Sequence, residues 1–205
     1  MSWWSETVVP RLIEKACRSA EILEERERWV PRAHGRVLEL GVGSGLNLAF
    51  YDPTRVEQVV GIDPSAALLA RAAARVKDAK VPVELQQARA EALPFADASF
   101  DSALVTYSLC SVDDLSRAVA EVRRVVKPAG ELVFVEHGRA PDRGPQRWQR
   151  RLTPVWRRVG GGCRLDRDVV GALRAGGWAV DDLREGYTKG PRWLSYTYEG
   201  TATAS

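Results

Sequence analysis

The chain has 205 residues, 45% of them hydrophobic and 28% charged, with a formal net charge of +3. That length supports one domain with a real core, and the composition excludes a disordered or collagenous chain. So small a charge excess does not imply a nucleic-acid partner. Cys17, Cys110 and Cys163 show neither disulfide-framework nor zinc-site spacing, and no run approaches the roughly 20 apolar residues of a membrane-spanning helix.

A reducing cytoplasm is the expected compartment. The opening MSWWSETVV lacks the basic, apolar leader of a signal peptide. Thr7 to about Arg28 reads as an amphipathic helix, with Val8, Val9, Leu12, Ile13, Ala16, Cys17, Ala20 and Leu23 at helical spacing. Such a helix either lies over a ligand site as a lid or packs on the sheet. Trp3 and Trp4 are expected to dock on the domain, a substrate or a membrane surface.

Val37 to Leu40 reads as a buried strand that runs into Gly41, Gly43 and Gly45, with a short helix over Leu46 to Tyr51 stopped by Asp52-Pro53. Strands follow at Val56 to Ile62, Val83 to Gln87, Phe100 to Thr106 and Glu131 to Glu136. Between them come an alanine-rich helix to about Lys77, with Ala66, Leu69, Ala73 and Val76 inward, and a helix from Asp113. In that second helix Leu115, Ala118, Val119, Val122 and Val126 face the core, and Pro128-Ala129-Gly130 ends it. Five alternations of strand and helix predict a parallel sheet covered on both faces. Ligands of such sheets bind at the carboxyl ends of the strands. Those ends carry Gly41–Gly45, Asp63, Ala90-Glu91, Tyr107–Cys110 and Glu136-His137.

The last third differs. Arg139 to Arg164 holds eight arginines and one acid, Asp142. Trp148, Leu152 and Trp156 recur at steps of four, with Pro154 interrupting, and Gly160-Gly161-Gly162 follows. A helix from Asp166 to Ala175 and two strands, Trp178 to Leu183 and Trp193 to Thr201, complete a chain without repeats or linkers.

A strand-turn-helix rich in glycine presents backbone N–H groups to a ligand. The dinucleotide fingerprint needs G-x-G-x-x-G, whereas these glycines fall as G-x-G-x-G; the phosphate loop needs a Gly-Lys pair, and no lysine follows Gly45. Glu39 is a carboxylate in an apolar strand. It either faces a cationic or donating ligand or reaches water at the strand end. The combination suits a ligand with a cationic amino-acid end and no phosphate.

ELGVGSG, GIDPS, AEALPF and VKPAGELVFVEH, in that order over about Arg36 to His137, resemble the class I S-adenosylmethionine-dependent methyltransferases. The resemblance implies a doubly wound, mostly parallel seven-stranded α/β sheet, a Rossmann-like methyltransferase fold with an added N-terminal helix. Residues 1–205 are then one domain: an N-terminal extension (1–35), a cofactor half (36–137) and a substrate half (138–205). The resemblance places Glu39, Gly41 and Gly43 along the methionine part of the cofactor, with Gly45 and Asn47 completing the loop. Asp63 accepts from the ribose hydroxyls, Pro64 and Ser65 flank the adenine, and Ala90 and Glu91 meet its edge and face. Arg89 stands where the family commonly has an Asp. YSLCSV, EHG, RWQRRLTPVWRR and GGCRLDRD further resemble small bacterial methyltransferases and animal thiol methyltransferases, and more loosely the bacterial phospholipid N-methyltransferases.

Methyl transfer is an in-line displacement whose partners must be held about 3 Å apart. The sulfonium is already activated, so no metal site is expected. His137 is the candidate base, or else it bonds Glu136 or the backbone and shapes the pocket; Tyr107 and Cys110 are further catalytic candidates. Tyr107 and Ser108 are expected to touch the cofactor through backbone, and Cys163 either touches the acceptor or packs after the glycine run. The expected partner is a small-molecule methyl acceptor, preferably a thiol, and not nucleic acid. The alternatives are a phospholipid or amine acceptor, or cofactor binding without turnover. The arginine-rich segment is a solvated surface, a lid for acidic substrates, or a peripheral contact with anionic lipid through Arg147, Arg150, Arg151, Trp148 and Trp156.

Overall fold

The computed structural model describes residues 19–204. Trp3, Trp4, Cys17 and the first half of the expected N-terminal helix lie outside them. Five strands run parallel: β1 Gly35–Leu40, β2 Val56–Asp63, β3 Val83–Gln87, β4 Phe100–Thr106 and β5 Val126–His137. β6 Trp178–Tyr187 and β7 Tyr196–Ala204 form an antiparallel hairpin, and β7 pairs antiparallel to β5. The seven-stranded order is β3-β2-β1-β4-β5-β7-β6. The order reverses at β1, which lies between β2 and β4, so a crevice opens at their carboxyl ends.

The strands read as unbroken apolar runs because both faces are covered. On one face Trp29, Val30, Val37, Leu104 and Val133 are buried together with Leu69 and Val76 packed against them. On the other, Leu38, Leu40, Ala103 and Phe134 meet the helices α3 Leu115–Val125 and α5 Val169–Ala175 through Val119, Val122, Val169 and Leu173. The remaining helices are α1 Ala20–Trp29, α2 Ala66–Arg75 and α4 Arg143–Val159. Ser19, Ser65, Asp114 and Asp168 cap α1, α2, α3 and α5 by accepting from the amide three residues on, which satisfies one of the unpaired donors of each first turn.

Four local expectations are corrected. No helix forms over 46–51: the chain goes through consecutive turns, closed by Gly45 N–H to Val42 O (2.9 Å), Leu48 N–H to Gly45 O (3.3 Å) and Phe50 N–H to Asn47 O (2.9 Å). Six residues before a proline are too few to offset helix nucleation, and Asn47 is held by tertiary bonds described below. In α2 the buried residue is Ala72, and Ala66 and Ala73 are exposed. Pro128-Ala129-Gly130 does not end α3, which stops at Val125; it bulges within β5, whose pairing with β4 jumps from Phe100–Val126 to Ser102–Glu131. Finally, α4 continues through Pro154. The proline is exposed and has no N–H to donate back along the helix, so α4 goes on with one backbone bond fewer.

Candidate functional site

A cavity of ≈ 390 Å³ lies at the carboxyl ends of the parallel strands. Gly41, Gly43, Asn47, Asp63, Pro64, Ser65, Ala90, Glu91, Tyr107 and Ser108 line it, as do Arg26, Arg89, Thr106 and Asp113, which sequence reasoning did not assign to it. Glu39, Gly45, Cys110 and His137 are not on its wall. Gly41 has φ +70°, and a Cβ there would run into the Ser108 side chain, so this turn accepts only glycine. Gly45 serves packing instead: a Cβ would stand 3.1 Å from Ala72 Cα.

Glu39 is fully enclosed. It accepts from Asn47 Nδ2 (2.8 Å) and from the Tyr51 hydroxyl (2.7 Å). Burial pushes its carboxyl up to about 7, against those two bonds and the charge of Arg26. Glu39 thus lies behind the cavity wall and fixes Asn47, which is on it. Asn47 also donates to Thr106 Oγ1 (3.0 Å) and accepts from the Arg26 guanidinium. Arg26 comes from α1 and is 5% exposed, and its Nε is buried without a hydrogen-bond partner. Glu25, its neighbour on α1, accepts from the Tyr107 hydroxyl. Sequence reading placed a helix here but could not pick out these two residues from the charged run Glu24–Arg28.

Asp63 ends β2, 6% exposed. One carboxylate oxygen accepts from Gly43 N–H (3.1 Å) and the other from Ser65 N–H (2.8 Å). Each oxygen keeps a lone pair for a ligand. Burial raises its pKa, and the two amides oppose the rise. Glu91 accepts from Asp113 N–H (2.7 Å), and Arg89 bridges Glu91 (3.5 Å) and Asp113 (2.5 Å). The arginine at the departure from the family pattern thus brings a carboxylate, Asp113, to the same rim.

At the end of β5, Glu136 is fully buried and accepts from the backbone N–H groups of Ser108 (2.5 Å), Leu109 (2.8 Å) and Cys110 (3.3 Å). Burial and the neighbouring Cys110 push it up to about 8, against those amides. Tyr107 N–H donates to Val135 O (2.8 Å). The N–H groups of Tyr107 and Ser108 are thus paired within the protein, while both residues line the cavity. Tyr107 holds φ 54°, the left-handed region, in which non-glycine residues are strained and often functional. His137 Nε2 lies 3.3 Å from Cys163 Sγ, and its ring centroid lies 5.8 Å from that of Tyr107.

A methyltransferase-domain family model matches residues 38–134. Two animal thiol S-methyltransferases are similar along the chain. TMT1B of Rattus norvegicus is 36% identical over 138 residues, 65% of this chain and 55% of that protein. TMT1A of Homo sapiens is 30% identical over 165 residues, 78% of this chain and 67% of that protein. The chain belongs to the class I S-adenosylmethionine-dependent methyltransferases. The chain is also 44% identical over 113 residues to the phosphatidylethanolamine N-methyltransferase of Cereibacter sphaeroides, 54% of each chain. Its fold matches that of an S-adenosylmethionine-dependent methyltransferase from Mesorhizobium loti, with TM-score 0.68 and 22% identity over 91% of this chain and 98% of the other. The matched stretch spans about half the length of the first curated relatives.

The residues present fit the family's cofactor. A buried carboxylate with spare lone pairs, Asp63, and a buried guanidinium with an unpartnered nitrogen, Arg26, face one cavity whose walls include Ile62, Leu68 and Val112. Those are a hydroxyl acceptor, a carboxylate partner and an apolar bed for a base. Among the described residues no helix is long and apolar enough to cross a membrane.

Proposed function

We propose that this chain transfers a methyl group from S-adenosylmethionine to a small-molecule acceptor, with a thiol as the preferred class. The observation that carries the reading is Asp63 and Arg26 on one cavity beside the glycine turn. Asp63 would accept from the two ribose hydroxyls. Arg26 would pair with the carboxylate of the amino-acid end, and Asn47 would align that end. Pro64, Ser65, Ala90 and Glu91 would bracket the adenine. The bound cofactor supplies a methyl group already activated on a sulfonium.

The acceptor preference follows from the groups near the strand ends. The Tyr107 hydroxyl is spent on Glu25, Glu136 is spent on three amides, and His137 Nε2 faces Cys163. Each of these groups already meets a protein partner at the atom named, and we assign no general base. A thiol, with an ordinary pKa of about 8.5, needs the least help to reach its nucleophilic form. Both animal relatives carry thiol methylation in their names, which supports the same reading.

A second reading is a phospholipid amine acceptor. It is favoured by an outward stripe on α4, where Trp148, Val155 and Val159 are 54%, 60% and 43% exposed among exposed Arg147, Arg150, Arg151, Arg157 and Arg158. An apolar ridge among arginines suits an anionic lipid surface.

The test is release of S-adenosylhomocysteine with a panel of thiols, amines and phospholipid vesicles. Turnover is expected with thiols. Turnover with vesicles alone transfers the assignment to the second reading, and release with none of the panel rejects both. Asp63→Ala is expected to lower cofactor affinity, read by calorimetry, about 100-fold or more, since two hydrogen bonds to a charged group are worth about 1.5–3 kcal/mol each. Intact affinity would remove the ribose assignment.

A further inference from the structure

Three side chains far apart in sequence meet beside the cavity. Cys110 from the loop after β4, His137 from the end of β5 and Cys163 from the loop after α4 bring their ligating atoms within 4.8 Å of one another. The Cys163 Sγ to His137 Nε2 distance is 3.3 Å. Metal–sulfur and metal–nitrogen bonds of about 2.3 and 2.0 Å imply ligand–ligand edges of about 3.5–3.8 Å in a tetrahedral zinc site. The cluster therefore needs only side-chain adjustment to close on an ion.

The backbone that carries these groups is fixed from outside the cluster. Glu136 holds the amides of 108–110, and Arg167 donates to Leu109 O (3.0 Å). Arg164 N–H donates to Cys110 O (2.9 Å), which ties the two cysteine loops together. Such outer bonds are what keep metal ligands oriented. Both cysteines are buried, whereas His137 is partly exposed and its ring neighbours Tyr107 on the cavity wall.

We propose that Cys110, His137 and Cys163 form a three-ligand site for a borderline-soft divalent ion of the zinc class, whose fourth position takes the acceptor thiol. Two thiolates and an imidazole are the donor set such an ion prefers, and three protein ligands with one open position are the pattern of catalytic zinc. A thiol entering that position binds as thiolate: the metal–sulfur bond forms, bound water leaves, and the thiol proton passes to solvent. This second half rests on the thiol reading above and accounts for activation without a general base.

Cobalt(II) added to metal-free protein is the probe. A thiolate-to-cobalt absorption band at one ion per chain is expected. Cobalt affinity should fall about 100-fold or more in Cys110→Ser, Cys163→Ser and His137→Ala, and small thiols, but not amines, should shift the band. Calorimetry of the cofactor, run on the same metal-free protein and on each variant, reports that the fold and the cofactor site are intact. No band, or a band undiminished in all three variants while they still bind cofactor, overturns the site. A band that thiols leave unmoved overturns the acceptor half. Cofactor binding with no cobalt site sinks this inference alone; loss of cofactor binding in the parent protein sinks the methyltransferase reading instead.

Discussion

Two buried carboxylates, Glu39 and Asp63, are one strand apart and do different work. Asp63 keeps acceptor capacity facing the cavity, while Glu39 spends both oxygens on Asn47 and Tyr51. Burial lifts Glu39 from 4.5 to about 7. Between those values the folded chain binds more protons than the unfolded one, so stability falls as pH rises through that window. The loss is on the order of 3 kcal/mol at about 1.4 kcal/mol per pH unit. Urea midpoints of the ligand-free protein at pH 5 and pH 7.5 are expected to show the decline; Glu136, raised to about 8, contributes over the same window, so Glu39→Gln should lessen the slope and leave the Glu136 part. Equal slopes in both proteins would show that another group titrates. Gly41, Gly43, Asp63, Ala90 and Glu91, all on the cavity wall, were legible in the sequence through the family resemblance, and Gly41 also through the turn it makes. Arg26 was not legible: five consecutive charged residues offer no signal for which one the sheet will bury.

At the scale of elements, the strands were legible where burial on both faces made them continuous apolar runs. Val83–Gln87 and Phe100–Thr106 have the bounds the sequence indicates. Segments whose conformation depends on a distant partner were not. Asn47 is held by Glu39, Arg26 and Thr106, and the expected helix over 46–51 gives way to turns. α4 persists through Pro154 because its buried side, Gln149 and Thr153, is anchored: Gln149 donates to Gly138 O (2.9 Å) and accepts from Ala140 N–H (3.0 Å). That anchoring turns Trp148, Val155 and Val159 outward on one stripe, seven and four residues apart. Vesicles of anionic lipid are expected to sediment the protein, with salt weakening the effect. Trp148→Ser with Val155→Ser should reduce binding at least about tenfold, as loss of two buried apolar side chains at about 1.5–3 kcal/mol each predicts. Equal sedimentation with neutral vesicles at high salt would remove the arginines from the account.

At the scale of the whole molecule, the site is a seam. It draws on the ends of β1, β2 and β4, on the turn after β3, on α1 in front of the sheet and on the loop that Glu136 pins from β5. A ligand there contacts both sides of the reversal at β1, so binding free energy is shared by the whole sheet. Unfolding any of these parts destroys the site, and stabilisation by ligand should therefore appear as one cooperative shift. At about 100 times its dissociation constant a ligand adds about 2.7 kcal/mol. For a chain of this size each kcal/mol moves the melting temperature about 2–4 °C. Saturating S-adenosylmethionine or S-adenosylhomocysteine is thus expected to raise Tm by about 5–10 °C in a single transition, and Asp63→Ala to abolish the rise at the same concentration. A rise kept in Asp63→Ala would place the ligand elsewhere. Two separate transitions, only one of them moved, would mean that the hairpin β6–β7 and its arginine-rich neighbour α4 unfold apart from the cofactor half.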